Sequence, residues 1–310
     1  MKICIVYGGT SNERDISLES GTCISKALSE LDNVNSFYFS GNYDKLYDNT
    51  KNSDIVFNAL HGVECEDGTI QKFFESRNIK YTGSNSESSK KAMDKNITKA
   101  VCIKNGILTP DWLHSQKYIK IFPFEIDLLR FYDKSIVVKP SDQGSSIGLS
   151  IIKNFQPDNE NKKKELNESI SKCYKVSKNI LIEEYIEGRE LTVSILDDKI
   201  FPVLEIIPSN KFYDYECKYT KGKSEYIVPA EIDKNIKLKI KEVAYNIFNI
   251  LECRHYCRVD FRLSNDNKIY FLELNTLPGF TNTSLFPKSA KAANVSYYDL
   301  LSKIIDLAAK

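Results

Sequence analysis

The sequence predicts a mixed α/β (α+β) chain that opens with a doubly wound parallel sheet, and three observations predict it. Up to about residue 84, buried β-branched runs alternate with amphipathic helical stretches. Beyond about residue 135, strand patterns follow one another more closely and culminate in a hairpin pattern over 256–275. No apolar run approaches the about 18 residues of a membrane-spanning helix. The 310 residues suggest two or three domains, and 42% hydrophobic with 27% charged content is ordinary for a globular chain with a large core.

Charge and cysteine usage exclude some partners. Lys plus Arg number 43 against 42 Asp plus Glu, so no basic field selects nucleic acid or an anionic membrane. The sequence runs directly into a strand, MKICIVYGG, without a signal-peptide pattern, and a cytoplasmic location is expected. The eight cysteines are scattered, mostly at apolar positions, as reduced core thiols would be. Cys253, His255 and Cys257 cluster, but a single His without a second cysteine pair makes a poor zinc set.

Taken in order, residues 2–7 read as a buried parallel strand that stops at Gly8-Gly9-Thr10-Ser11. A helix follows with Ile24, Ala27, Leu28 and Leu31 on one stripe. A glycine turn before a helix can hold an anion. It matches neither the Walker phosphate loop nor the dinucleotide fingerprint, which argues against a nicotinamide-dependent oxidoreductase. Glu13, Arg14 and Asp15 crowd the carboxyl end of this strand, where open α/β sheets place ligands, although on composition alone a solvated loop suits them better. A second buried strand, 54–60, delivers His61-Gly62 at its own carboxyl end, followed by Glu66-Asp67-Gly68 and a helix carrying Ile70, Phe73 and Phe74. Residues 86–105 read as one helix closing at Asn105-Gly106, with Met93-Asp94-Lys95 as surface.

After Thr109-Pro110 and an ill-defined segment, a strand over 135–139 ends in Lys139. The loop Ser141-Asp142-Gln143-Gly144-Ser145-Ser146 leads to another strand over 149–153. Such a loop can close N–H groups and hydroxyls over phosphate while the lysine supplies charge; a plain hairpin turn needs fewer residues. A charge run over 156–165 precedes strands over 180–186, 191–196 and 200–207. The aromatic, charged segment 210–219 has the length of an active-site lid. A helix over 235–251 carries Ile236, Ile240, Val243, Ala244, Ile247 and Leu251 on one stripe, and Ser296 with Asp299 resembles a capping box for the last helix.

The densest polar set embedded in apolar sequence lies at 256–288. RVDFRL and KIYFLELN alternate at period two, placing Arg258, Asp260 and Arg262 on one face and Phe271, Glu273 and Asn275 on the other strand's face. A four-residue loop, 265–268, pairs Ser264 with Ile269 and sets Asp260 opposite Glu273. Facing carboxylates stand about 5 Å apart and destabilise a sheet unless neutralised. With the Asn275 amide beside them they form a hard oxygen set that suits Mg²⁺ or Mn²⁺ and not zinc. The competing reading is a solvated face whose Arg258 and Arg262 pair with the acids, but it leaves the burial of Leu-Glu-Leu-Asn in an apolar strand without purpose.

GGTSNERDIS, ALHG, EDGTIQ, MDK, VVKPSDQGSSIG, YDYECKY, RVDF and ELNTLPGFTNTSL follow one another along nearly the whole chain. In that order and spacing the sequence resembles the D-alanine–D-alanine ligases of the ATP-grasp superfamily. The resemblance implies an ATP-grasp fold of three domains: a Rossmann-like substrate domain over 1–85, a central domain over 86–180 and a catalytic domain over 181–310. It implies ligation of two D-alanines through an acyl phosphate, with release of ADP and phosphate, for peptidoglycan precursors, in a cytoplasmic homodimer with neither nucleic acid nor membrane as partner. ATP would be held by Lys95, Lys139, Ser146, Glu183, Ile186, Glu190, Phe212 and Leu272, with the lysines on phosphate, the 183–186 backbone on adenine and Glu190 on ribose. Asp260, Glu273 and Asn275 would hold two Mg²⁺ (or Mn²⁺) ions, Glu273 bridging.

By the same resemblance, Glu13 would take the ammonium of the first D-alanine, with His61 beside it. Arg258 and the Gly279 backbone would meet the oxyanion, and Ser284 with Leu285 the carboxylate of the second D-alanine. Glu13, Ser145 and Tyr219 match a hydrogen-bonded triad linking the substrate site to two mobile loops, 141–148 and 210–223, and Lys218 would reach the transferred phosphate. Tyrosine at 219 goes with D-alanine as acceptor, phenylalanine with D-lactate. Two departures stand out: Cys65 replaces a glycine of HGxxGEDG, and Gln143 replaces the Glu of KPSxEGSS. Rival readings are another ATP-grasp ligase joining different amino acids, and a regulatory module that binds ATP without turnover.

Overall fold

A three-stranded parallel sheet opens the chain, with β1 (Ile3–Gly8) between β2 (Val34–Phe39) and β3 (Ile55–Asn58). The structure, a computed structural model, describes residues 1–117, 125–208 and 223–310. β1 and β3 are continuous apolar runs because both faces of the sheet are covered. Periodicity did not signal β2 or the helix α2 (Tyr43–Thr50), since β2 is an edge strand whose side chains alternate poorly and stay largely open to solvent. Helix α1 (Arg14–Ala27) turns Ser17, Ser20, Gly21 and Ile24 inward, and Leu28 is buried just beyond it. Leu31, expected on that stripe, is exposed, because the helix ends before it. Helix α3 (Thr69–Glu75) buries Ile70, Phe73 and Phe74 as its pattern predicts.

The single helix expected over 86–105 is two, α4 (Ser86–Met93) and α5 (Lys95–Lys104). Asp94 breaks it by taking an extended conformation and accepting hydrogen bonds from the N–H groups of Asn96 and Ile97, an N-cap that restarts the helix. The break changes the direction of the chain, so Lys95 is buried rather than on the surface.

The second sheet runs β4-β7-β5-β6 and is antiparallel, built from β4 (Trp112–Gln116), β5 (Lys134–Pro140), β6 (Ser150–Phe155) and β7 (Asn179–Glu184). Short α6 (Glu125–Leu128) and α7 (Glu160–Cys173) cover it, packing Leu128, Leu166 and Ile170 on Ile136, Val138 and Ile182. β7 passes straight through the boundary expected after residue 180.

The third sheet runs β11-β10-β8-β12-β13, with β9 beside β8. Its strands are β8 (Gly188–Leu196), β9 (Lys199–Ile200), β10 (Leu204–Pro208), β11 (Ser224–Ile227), β12 (Tyr256–Ser264) and β13 (Ile269–Asn275). The one strand expected over 200–207 is therefore split between β9 and β10. Helix α8 (Lys234–Ile250) lays Ile240, Ala244, Ile247 and Phe248 against this sheet. Helices α9 (Leu285–Ala292) and α10 (Tyr297–Ala309) then return to the first sheet, where Leu300, Leu301 and Ile304 share a core with Ile3, Ile5 and Phe57. Each such buried side chain contributes about 1.5–3 kcal/mol, so this return ties the two ends of the chain together. Ser296 caps α10 by accepting from the Asp299 N–H at 3.1 Å, as the capping pattern predicts. Among the described residues no helix is long and apolar enough to cross a membrane.

The turn before β12 seals the first sheet to the third. The Gly83 N–H donates to His255 Nδ1 at 3.1 Å, Arg254 Nε donates to the Gly83 carbonyl at 2.9 Å, and the Arg254 guanidinium lies 4.8 Å from the Tyr81 ring centroid. Burial, aided by neighbouring Arg254, lowers the His255 pKa from 6.5 to about 4. Between those values the unfolded imidazole binds a proton that the folded one refuses, so stability is full above pH 6.5 and is lost as pH falls towards 4. His255 has a φ of 63°, which asparagine tolerates. His255→Asn is therefore expected to flatten the decline of the urea midpoint on acidification between pH 6.5 and 4.5; parallel declines in both proteins would refute the assignment.

Candidate active site

The β12–β13 hairpin sets Asp260 opposite Glu273 and Arg258 opposite Asn275, the register that the sequence pattern predicts. It gets there by a different route. Leu263, not Ser264, pairs with Ile269, so the turn holds one residue more than expected, and a bulge at Leu272 restores the register before Glu273. The bulge also corrects the face assignment: Phe271 is fully buried against Phe261, while Leu272 joins Glu273 on a cavity wall.

Two cavities, with empty volumes of about 940 and 850 Å³, meet at Lys95 and Glu273, which line both. Glu273 lies 3.1 Å from Lys95 Nζ, and that ammonium also donates to the Gln143 carbonyl at 2.8 Å. Asp260 accepts a bidentate pair from Arg258, Nε at 2.9 Å and Nη2 at 2.8 Å, plus the Thr192 hydroxyl at 2.6 Å. The Arg-paired alternative is thus realised for Asp260, whereas Arg262 turns to Glu190.

Two carboxylates and an amide oxygen on adjacent strands suit a hard divalent cation whose remaining ligands are water and phosphate. Asn275 Oδ1 is oriented by the Leu277 N–H at 2.8 Å, and Lys95 and Arg258 supply the positive charge that the acids face here. Among the described residues no three His, Cys, Asp or Glu side chains gather into a closed metal cage. Three protein oxygens leave much of a divalent cation's shell to water and phosphate, so this donor set fits an ion shared with the substrate.

The larger-walled first cavity is reached by Glu13, His61, Ser145, Arg258, Gly279 and Ser284. Glu13 stands at the N-terminus of α1, buried, and accepts a hydrogen bond from the Ser145 hydroxyl, 132 positions away in sequence. The 141–148 loop thus already touches the glycine turn of the first sheet. Gly144 permits this approach, because a Cβ there would stand 3.0 Å from Glu13 Oε2. Ser145 and Ser146 both hold left-handed backbone, φ 52° and 58°, which is uncommon for serine. His61 Nδ1 lies 3.1 Å from Glu66 Oε1 and Nε2 3.4 Å from Ser20 Oγ, which fixes the ring. Ser284 precedes α9 and its hydroxyl accepts from the Thr281 N–H at 2.9 Å, leaving the helix N-terminus that begins at Leu285 facing this cavity.

The second cavity is walled by Lys139, Ser146, Glu183, Ile186, Glu190 and Leu272. Lys139 bonds Glu183, whose other oxygen lies 3.0 Å from the fully buried Lys99 Nζ. Burial pushes the Glu183 carboxyl up, but Lys139 and Lys99 together outweigh it, and the net direction is down. Burial lowers Lys99 to about 8, against the pull of Glu183. Lys99 also donates to Thr109 at 2.9 Å, and Thr109 donates to the Phe271 carbonyl at 2.9 Å. Sequence reasoning missed Lys99; its signal was the i, i+4 spacing from Lys95 on one helix.

All sequence-derived site residues within the described chain border one cavity or the other, or, in the case of Asp260, the wall they share with Arg258. Phe212, Lys218 and Tyr219, and most of the 210–223 loop, lie outside the described residues. Cys65 is buried under the first sheet; the left-handed positions of that turn are Gly62, Glu64 and Gly68, so Cys65 needs no glycine's freedom. Gln143 donates its amide to the Val176 carbonyl at 3.2 Å and takes no ionic role.

Comparison with known proteins places these features in context. The family descriptions "D-ala D-ala ligase N-terminus" and "D-ala D-ala ligase C-terminus" match residues 40–84 and 128–306. A D-alanine--D-alanine ligase of Aquifex aeolicus is 39% identical over 310 residues, covering 98% of this chain and 100% of that one. Crystal structures of the Bacillus anthracis D-alanine--D-alanine ligase superpose with TM-score 0.84, and 0.82 for the form complexed with ATP. Both are 32% identical and cover 99% of this chain and 97% and 96% of theirs.

Proposed function

Because the chain belongs to the D-alanine–D-alanine ligase family, we propose that it joins two D-alanine molecules into D-alanyl-D-alanine with ATP as phosphoryl donor, for peptidoglycan synthesis. The observation that carries this reading is the meeting of two cavities at Lys95 and Glu273, where a nucleotide in one can present its terminal phosphate to a carboxylate in the other. A carboxylate is a poor electrophile. Transfer of the terminal phosphoryl group to an oxygen of the first D-alanine releases ADP and leaves an acyl phosphate. The amine of the second D-alanine then attacks the carbonyl carbon, loses a proton and expels phosphate.

In this proposal Lys139 exchanges Glu183 for a phosphate oxygen when ATP arrives, and Lys99 remains behind as the counter-charge of the buried Glu183. Lys95 and Ser146 meet phosphate, the backbone around Glu183 and Ile186 meets adenine, Glu190 meets ribose, and Leu272 walls the nucleotide. Asp260, Glu273 and Asn275 hold Mg²⁺ or Mn²⁺, two ions, and these would neutralise charge developing on the transferred group. Glu13 takes the first ammonium beside His61. Arg258 and the Gly279 N–H face the oxyanion, and the start of α9 at Ser284 and Leu285 takes the second carboxylate. Tyr219, Lys218 and Phe212 keep the roles that the resemblance implies. Closure of the 141–148 loop over the acyl phosphate excludes water, which would otherwise hydrolyse it. In this reading the protein is a cytoplasmic homodimer of three-domain subunits without nucleic acid or membrane partners, as the resemblance implies.

The test is ADP and phosphate release from the purified protein with Mg-ATP and D-alanine, L-alanine or no amino acid. D-alanine-dependent release with D-alanyl-D-alanine identified by mass is expected. Release driven only by another amino acid would keep the ligase chemistry and discard the substrate. ATP binding without release would overturn the enzymatic reading.

A further inference from the structure

Arg262 lies on β12 two residues beyond Asp260 and lines the second cavity at the end away from the hairpin acids. Its guanidinium is used on every side. Nε donates to the Ile186 carbonyl at 3.1 Å, Nη2 donates to the Tyr185 hydroxyl at 2.6 Å, and Nη1 stands 3.4 Å from Glu190 Oε2. The group also lies 5.2 Å from the Tyr185 ring centroid, and its side chain is only 12% exposed. From the opposite side, the Tyr185 N–H donates to the Ser135 carbonyl at 2.8 Å. The 185–187 connection between β7 and β8 is therefore held from the second sheet by the Ser135 carbonyl and from the third by the Arg262 fork, which also reaches the Glu190 carboxylate at the start of β8.

A desolvated guanidinium is costly unless its N–H groups are satisfied, and here the partners that satisfy it are the segment that walls the nucleoside end of the cavity. The Arg262 guanidinium is turned to Ile186, Tyr185 and Glu190, which gives it no direct part in phosphoryl transfer in this reading. We propose that Arg262 is a positioning residue for the nucleoside of ATP, presetting the Ile186 backbone and the Glu190 carboxylate for adenine and ribose. This rests on the reading that those two groups hold the nucleoside.

The experiment compares wild type, Arg262→Met, Arg262→Lys and Glu190→Gln in steady-state kinetics, varying ATP and D-alanine in turn, and repeats the ATP series with 2′-deoxy-ATP and 3′-deoxy-ATP. Arg262→Met is expected to raise the KM for ATP about tenfold, the loss of roughly one well-made charged contact. Its kcat and its KM for D-alanine should stay within about twofold, and its discrimination against the deoxyribose analogues should shrink. Arg262→Lys keeps a cation near Glu190 but not the fork, and should fall between. A folded Met variant with an unchanged KM for ATP would overturn the proposal, as would a kcat that falls in parallel with affinity for both substrates. If the Met variant does not fold, a wild-type KM for ATP in Arg262→Lys overturns it instead. Glu190→Gln separates the premise: an unchanged KM for ATP there removes the ribose assignment, while the Arg262 effect through Ile186 remains readable in the Met variant.

Discussion

Glu273→Gln is expected to abolish D-alanine-dependent ADP formation, by at least about 10³-fold, in a protein that still folds. Glu273 lines both cavities, faces Asp260 across the hairpin and pairs with Lys95. The substitution keeps the volume and one oxygen but removes the charge shared between the two halves of the reaction. Its side chain is 27% exposed at a cavity rim, not part of a core, so little packing is lost. Losing one partly open pair with Lys95 and relieving the like charge across from Asp260 work in opposite directions on stability. Thermal melting should therefore move by only a few degrees while product formation disappears. Near-normal turnover in a folded variant would refute the hairpin as the centre of the chemistry.

Arg258→Ala is expected to lower kcat by about 10²–10³-fold, the usual loss when an oxyanion donor is removed. It carries a second cost that Glu273→Gln does not. Both oxygens of buried Asp260 accept from Arg258, so removing the guanidinium leaves a carboxylate with only the Thr192 hydroxyl among these partners, at a stability cost of about 3–5 kcal/mol. Arg258→Lys separates the two effects. A lysine restores charge near Asp260 but not the planar fork, so stability should recover further than kcat. A kcat for Arg258→Ala within tenfold of wild type, measured at saturating substrates, would remove Arg258 from oxyanion stabilisation and leave it as the partner of Asp260.

The two strand ends that carry Glu13 and His61 were legible as places where an open α/β sheet puts ligands, but composition alone favoured a solvated loop for Glu13, and the roles of both residues came from the family resemblance. The hairpin was legible because its acids alternate with apolar residues. The misreadings share a cause. The bulge at Leu272, the break at Asp94 and the split of 200–207 each insert or remove one local conformation that periodicity averages over. Asp94 was the most readable of these, since an aspartate before Lys-Asn-Ile is a good N-cap; the single-helix reading rested on the Asn105-Gly106 stop and passed over it.

Local periodicity and residue chemistry alone determined the doubly wound start, the opposed acids and the kinds of group available for phosphate, and the resemblance added the group for the ammonium. Which distant groups meet was decided by tertiary structure: Lys99 with Glu183, Arg262 with the 185–187 connection and Glu190, and α10 with the first sheet, while the meeting of Ser145 with Glu13 was anticipated only through the family resemblance. The physical reason is that a side-chain pattern reports how much of a face is removed from water. It does not report which distant surface removes it, and that choice depends on packing and pairing across sheets whose strands lie far apart in the chain.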